Sequence, residues 1–263
     1  MTAPSYTYLI VSTEGGVQTI ALHNPARKNA IGPVMVNELL YALAAAADAQ
    51  EVRTIVLTGS GDAFCAGGDF AQMTGSTGQT GEDRPVRGDY ADLLLAMVSL
   101  PKPIIARVNG HAMGGGLGLV AASHFAIAAR GAKLGTPEIN VGLFPMMIMA
   151  VLQRIVPRRR LLEMMLLGEK MDADEAAKAG LVSRAVEPGE LDAEVKRLAT
   201  AIAGKSPITV RLGLEAFAAQ DDLDLETALP MLRKRLAACL ATDDAREGLM
   251  AFLEKRPPRW TGK

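Results

Sequence analysis

The chain has 263 residues, of which 28 are basic and 29 acidic, for a formal net charge of −1. That balance argues against a dedicated nucleic-acid binder, which usually carries a basic excess. Hydrophobic residues make up 49 % and charged residues 22 %, so intrinsic disorder is excluded and a sizeable core fits in one large domain or two modest ones. Two cysteines, Cys65 and Cys239, cannot build a disulfide scaffold and read as reduced thiols, pointing to a cytoplasmic protein.

Tyr8–Ser12 and Val17–His23 read as short strands around Glu14-Gly15-Gly16, followed by a polar loop over Asn24–Ala30. Pro33 opens a helix whose apolar spacing runs through Met35, Leu39, Leu40, Leu43 and Ala47 to about Gln50. Val52–Thr58 is a buried strand ending at Gly59-Ser60-Gly61-Asp62. The alternation of strand, helix and strand predicts an α/β protein. Thr74–Asp89, rich in Gly, Thr, Ser and charge, reads as a surface loop before a helix over Tyr90–Ser99. Ile104–Val108 and Phe125–Ala129 are strands flanking a glycine turn and an apolar helix through Ala122. An apolar helix is expected over Leu143–Ile155 and a last strand over Leu181–Val186, with mainly helical sequence from Arg158 onward.

No charged residue occurs from Val108 to Ala129, the length of a membrane span. The stretch nevertheless contains Asn109, His111, Ser123, His124 and five glycines, which suit a buried segment rather than a lipid-facing helix. No membrane association is expected, and the first six residues lack the basic patch and apolar run of a signal peptide.

Several chemistries can be tested by spacing. Gly114-x-Gly116 is followed by Leu119 where a dinucleotide fingerprint needs its third glycine, and Gly59-Ser60-Gly61 by Phe64. No P-loop, G-x-S-x-G elbow or metal-binding His/Cys spacing occurs. Cys65 reads as packing rather than a nucleophile, and His111 as a hydrogen-bonded structural residue.

Two glycine-rich turns remain, Phe64-Cys65-Ala66-Gly67-Gly68-Asp69 and Gly114-Gly115-Gly116. Each follows a strand, and the second opens a helix whose first amides lack partners. Together they can form an oxyanion hole, or they can serve close helix–strand packing. Glu138 lies in an otherwise apolar stretch from Leu134 to Ala150. A carboxylate there either fixes a turn or, with a raised pKa, works as a base near neutral pH.

Taken together, these residues resemble the enoyl-CoA hydratase/isomerase (crotonase) superfamily. The resemblance runs from about Tyr8 to Trp260. It is carried by Asn24-Pro25 with Asn29-Ala30, by Phe64–Asp69, and by Lys102-Pro103 through Asn109-Gly110 to Gly114-Gly115-Gly116. Pro137-Glu138, Gly142 with Pro145, Ala179-Gly180-Leu181-Val182 and Phe252–Arg256 continue it.

The resemblance implies a spiral of ββα units over residues 1–200 holding an acyl-CoA site. A C-terminal helical region over 201–263 would cover coenzyme A and support a homotrimer or homohexamer. It implies no cofactor beyond the coenzyme A of the substrate. Catalysis would rest on Glu138 and on the backbone N–H groups of Ala66 and Gly115. Substrate contacts would come from Arg27, Lys28 and Ala30, and from the turn Ala66, Gly67, Gly68, Asp69 and Phe70. Gly115, Gly118, Pro145, Phe252 and Lys255 would complete them. The last 33 residues carry eight basic against four acidic side chains, which the resemblance assigns to the phosphates of coenzyme A.

Three departures bear on activity. Gly118 stands where hydratases of this kind carry the first of two glutamates, leaving Glu138 alone. Met146-Met147-Ile148-Met149 replaces a small glycine-rich run, predicting an adaptable acyl pocket lined by methionine. His124 stands where an aspartate is common. A single carboxylate suits a double-bond shift in an enoyl thioester, while the resemblance as a whole leans to hydration. A non-catalytic acyl-CoA-binding protein, or a thioester hydrolase or decarboxylase on the same scaffold, are the alternatives.

Overall fold

The computed structural model describes residues 5–69 and 84–263. A six-stranded sheet is built from β1 (Leu9–Glu14), β2 (Val17–Leu22), β3 (Thr54–Gly59), β5 (Ile104–Val108), β7 (Phe125–Ala129) and β10 (Arg184–Val186) in that spatial order. The β1–β2 hairpin is antiparallel and every other pairing in this sheet is parallel. A second sheet orders β4 (Ala63–Cys65), β6 (His111–Met113), β8 (Lys133–Gly135) and β9 (Lys170–Asp172). Here β4, β6 and β8 are parallel and β9 is antiparallel to β8.

The chain visits the two sheets in turn. A strand of the first sheet leads into a short strand of the second and then a helix, as in β5, β6 and α3 (Gly115–Ala121). Continuous apolar runs suit this arrangement, because central parallel strands are covered on both faces. All six residues of β3 are buried, as are four of the five in β5.

The first helix, α1 (Pro33–Asp48), opens on Pro33 and buries Met35, Leu39, Leu40, Leu43 and Ala46. Its last turn is capped by Lys102, whose ammonium donates to the carbonyls of Ala46 (2.6 Å) and Ala49 (2.5 Å). Helix α2 (Tyr90–Val98) begins with a capping box in which Asp89 accepts from the amides of Ala91 and Asp92, while Asp92 accepts from Asp89. Beyond α4 (Ile148–Leu152), α5 (Arg158–Leu167) and α6 (Ala173–Lys178), the chain ends in α7 (Leu191–Ala203), α8 (Pro207–Gln220), α9 (Leu225–Leu240) and α10 (Asp243–Leu253).

The α/β expectation holds, with local corrections. The helix expected over Leu143–Ile155 is confined to α4, because Pro145 donates no amide and Leu143–Met147 forms an irregular turn. The expected strand Leu181–Val186 shortens to β10, since Leu181 and Val182 both donate to the Ala176 carbonyl and end a helix instead. The three-residue strands β4, β6, β8 and β9 were not anticipated, being too short for a periodic signal. Residues 74–83 of the expected loop lie outside the described residues, whereas 84–89 carry no regular structure.

The uncharged stretch Val108–Ala129 becomes the end of β5, β6, α3 and β7. Among the described residues no helix is long and apolar enough to cross a membrane.

Candidate active site

The loop before α1 is stitched to the first glycine turn. Asn29 is fully buried, with its side-chain oxygen accepting from the Asn24 amide (2.9 Å). Its side-chain amide donates to the carbonyls of Ser60 (2.9 Å), Ala63 (2.9 Å) and Phe64 (3.3 Å). Arg27 pairs with the buried carboxylate of Asp69 at 3.0 Å. These expected substrate-contact residues thus engage each other and hold the turn.

Backbone bonds decide which amide of that turn is free. The Ala66 amide donates to the Lys28 carbonyl at 2.9 Å, so it is already engaged. Ile31 donates to Gly67 O (2.7 Å) and accepts from Asp69 N (2.8 Å), forming an isolated parallel bridge with Gly68. In such a bridge the spanned residue turns its own N–H away from its neighbour. Gly68 therefore faces away from Ile31, and among the described residues its amide meets no protein acceptor. The Ala66 amide is thus not available as the expected donor, whereas the Gly68 amide is.

The second turn repeats this pattern. Gly114 donates to Gly135 O at 2.9 Å, and Gly118 donates back to Gly114 O at 3.1 Å. The Gly115 amide, at the start of α3, has no protein acceptor among the described residues. Gly68 and Gly115 are partly exposed, while Gly67, Gly114 and Gly116 are buried.

Both exposed glycines line one cavity of about 600 Å³, within the range of small-molecule sites. Val36, Val86, Leu143, Phe144, Met146 and Met147 contribute to its walls. The expected methionine lining thus holds for Met146 and Met147, whereas Met149 packs against the core. Pro145 also lines the cavity.

Glu138 enters the cavity from a short 3-10 helix over Pro137–Val141. Pro137 starts this helix, and the Glu138 carbonyl accepts from Leu143 (3.0 Å). The carboxylate lies against the backbone of Gly114, and its Oε2 is buried without a hydrogen-bond partner among the described residues. Burial pushes its pKa above the ordinary carboxylate value, opposed by a hydrogen bond from its own amide.

Gly118 is buried and has no room for a side chain, since a Cβ would overlap the Tyr90 hydroxyl and the Ile148 side chain. The expected contact at Gly118 is thus covered by these two residues. Tyr90 lines the cavity and was missed by sequence reading; an aromatic opening a helix after a polar loop carries no pattern of its own.

Other expected site residues lie apart from the cavity lining. Lys28 and Ala66 are exposed beside it in sequence, and Ala30 is partly exposed. Phe252 and Lys255 are exposed at the end of α10 and just beyond it, and are not among the lining residues. Phe70 lies outside the described residues.

Cys65 is buried and its thiol is pushed up to about 12 by desolvation, in keeping with packing rather than nucleophilic work. His111 accepts at Nδ1 from the Lys133 amide (3.0 Å) and His124 from the Ile104 amide (3.1 Å).

Two strand-ending glycine turns with free amides, a desolvated carboxylate and an apolar cavity define a fold and site of the crotonase type. Comparison with known proteins agrees: residues 12–263 match the family model described as enoyl-CoA hydratase/isomerase, and the chain belongs to that family. The chain is 34 % identical to rat "enoyl-CoA hydratase domain-containing protein 3, mitochondrial", over 94 % of this chain and 82 % of the relative. A solved enoyl-CoA hydratase from Mycobacterium smegmatis superimposes with a TM-score of 0.88 at 36 % identity, covering 96 % of this chain and 98 % of the other. The solved human enoyl-CoA hydratase domain-containing protein 3 gives 0.89 at 33 % identity, over 96 % and 100 % of the two chains. Mitochondrial relatives leave the cytoplasmic expectation without support.

Proposed function

We propose that this protein shifts the double bond of an enoyl-CoA thioester, with Glu138 as its single acid–base group. The observation that carries the reading is the unpartnered, buried Oε2 of Glu138 in the same cavity as the free amides of Gly68 and Gly115. The thioester oxygen accepts from those two amides. Glu138 takes a proton from the carbon that becomes part of the new double bond. The electron pair moves to the thioester oxygen as a dienolate, and the carboxylic acid returns the proton two carbons away. One backbone donor to such an oxyanion contributes about 2.7–4 kcal/mol in the transition state.

Hydration is the second reading, favoured by the names of the relatives. It uses the same carboxylate, with the enolate of the 3-hydroxyacyl thioester, rather than a dienolate, held at the same oxygen. A double-bond shift asks less of the site, because the face where a second carboxylate would stand is filled by Tyr90 and Ile148.

Arg27, Lys28, Ala30, Phe252 and Lys255 are proposed for the nucleotide end of coenzyme A. Residues 201–263 are proposed as the part that covers this end and supports a trimer or hexamer. Exposed Phe217, Leu225, Leu229, Leu236, Phe252 and Leu253 support an association role.

Offering 2-enoyl- and 3-enoyl-CoAs in deuterated water and following the thioesters by mass spectrometry tests the reaction. Deuterium incorporated without water supports the shift. A gain of water indicates hydration instead, and free thiol or carbon dioxide indicates hydrolysis or decarboxylation. Binding with no change in any thioester leaves an acyl-CoA-binding protein and sinks the catalytic reading.

A further inference from the structure

Gly115 is held by the side chain of Tyr90. The Tyr90 hydroxyl donates to the Gly115 carbonyl at 2.5 Å. The same ring lies over the Gly115 Cα, where an added Cβ would sit 3.6 Å from two ring carbons and the hydroxyl oxygen. Gly118, one turn along α3, leaves the space that the hydroxyl occupies. Tyr90 is the first residue of α2 and lies within the Asp89–Asp92 capping box, which fixes its backbone. Burial keeps the phenol protonated across the ordinary pH range, so the hydroxyl remains a donor.

We propose that Tyr90 is a positioning residue for the reaction: it fixes the Gly115 amide against the thioester oxygen and, with Ile148, closes the Gly118 face of the site to water. The proposal rests on the oxyanion-hole reading above. It accounts for the pairing of a glycine without space at 118 with a tyrosine hydroxyl in the position its side chain would take. The hydroxyl has one proton, spent on the Gly115 carbonyl, and so it donates nothing to the substrate.

The test uses 4-dimethylaminocinnamoyl-CoA, a conjugated enoyl thioester whose absorption moves to longer wavelength when its carbonyl accepts hydrogen bonds. Bound to the wild-type protein it should show that shift. In Tyr90→Phe the shift should shrink, and kcat for enoyl-CoA turnover should fall about tenfold, the scale of one lost hydrogen bond, with KM within about twofold. Gly118→Ala, which displaces the hydroxyl while keeping the phenol, should shrink the shift in the same way, and carries the test if Tyr90→Phe does not stay folded. A full shift with wild-type kcat in folded Tyr90→Phe overturns the role of Tyr90. A lowered melting temperature with the bound-probe shift unchanged overturns it too, since that marks a structural contact alone. If the probe binds the wild-type protein without any shift, the oxyanion-hole reading fails first, and the result is distinct from the other two.

Discussion

The carboxylate of Glu138 and the backbone of Gly114 share one space: Oε1 lies 2.6 Å from where a Cβ on Gly114 would sit. Gly114 also has a φ of 47° with a ψ of −122°, a conformation that side-chain-bearing residues rarely adopt. The glycine before the candidate donor Gly115 is thus what admits the candidate base. Gly114→Ala should cost about 1–3 kcal/mol of stability from backbone strain. It should lower kcat about 100-fold through displacement of the carboxylate, by the scale of an ångström misplacement. Thermal melting and steady-state kinetics on the same preparation check both effects.

Asn29 ties the preceding loop to the glycine turn through four hydrogen bonds, and it does so in a left-handed conformation (φ 57°). Asn29→Ala leaves buried carbonyls at Ala63 and Phe64 without this partner. A loss of about 2–4 kcal/mol is expected, because orphaned buried polar groups cost more than a surface hydrogen bond returns. Chemical denaturation measures it; a change below about 0.5 kcal/mol would contradict the clamp.

Titration of Glu138 should appear in both rate and stability. Its pKa is raised by burial, so the basic form accumulates only above the ordinary carboxylate range. The acid limb of kcat/KM should therefore lie above 4.5, the unperturbed value. For stability the sign follows from linkage. The folded state binds this proton more tightly than the unfolded chain, so the wild-type protein loses stability as pH rises through the raised pKa. Glu138→Gln should be the more stable protein at pH 8, with its advantage gone below 4.5. Melting curves across pH read this directly.

Charge at the C-terminal end divides into two kinds. Arg256 pairs with Glu247 (2.6 Å) and Glu254 (2.6 Å). Lys255 is exposed beyond α10. Lys255→Ala should weaken coenzyme A binding with a reduced salt dependence, whereas Arg256→Ala should act mainly on the melting temperature. Calorimetric titration at two salt concentrations separates them.

Much of the fold was legible because the central strands are continuous apolar runs and α1 repeats its apolar residues at helical spacing. Pro33, the buried run of β3 and the spacing of Leu39, Leu40 and Leu43 each announce their element. The three-residue strands and the Pro145 turn were not, because tertiary pairing rather than local pattern decides them. At the site, Glu138 stood out as a lone charge in an apolar stretch. At the first glycine turn, composition cannot say that Ala66 spends its amide on Lys28 while the Gly68 amide meets no acceptor among the described residues. Tyr90 was invisible for a similar reason: its partners, Gly115 and Gly118, lie 25 and 28 positions away in the chain. The near-zero net charge averages a basic C-terminal end against an acidic remainder.

Turnover of the Glu138→Gln protein isolates the contribution of the base. Gln keeps the shape and removes the base, while the Gly68 and Gly115 amides stay in place. Deuterium exchange and double-bond migration in a 3-enoyl-CoA should disappear, and affinity for acyl-CoA should stay within a few-fold of wild type. Turnover retained near the wild-type rate in that variant would rule out Glu138 as the base.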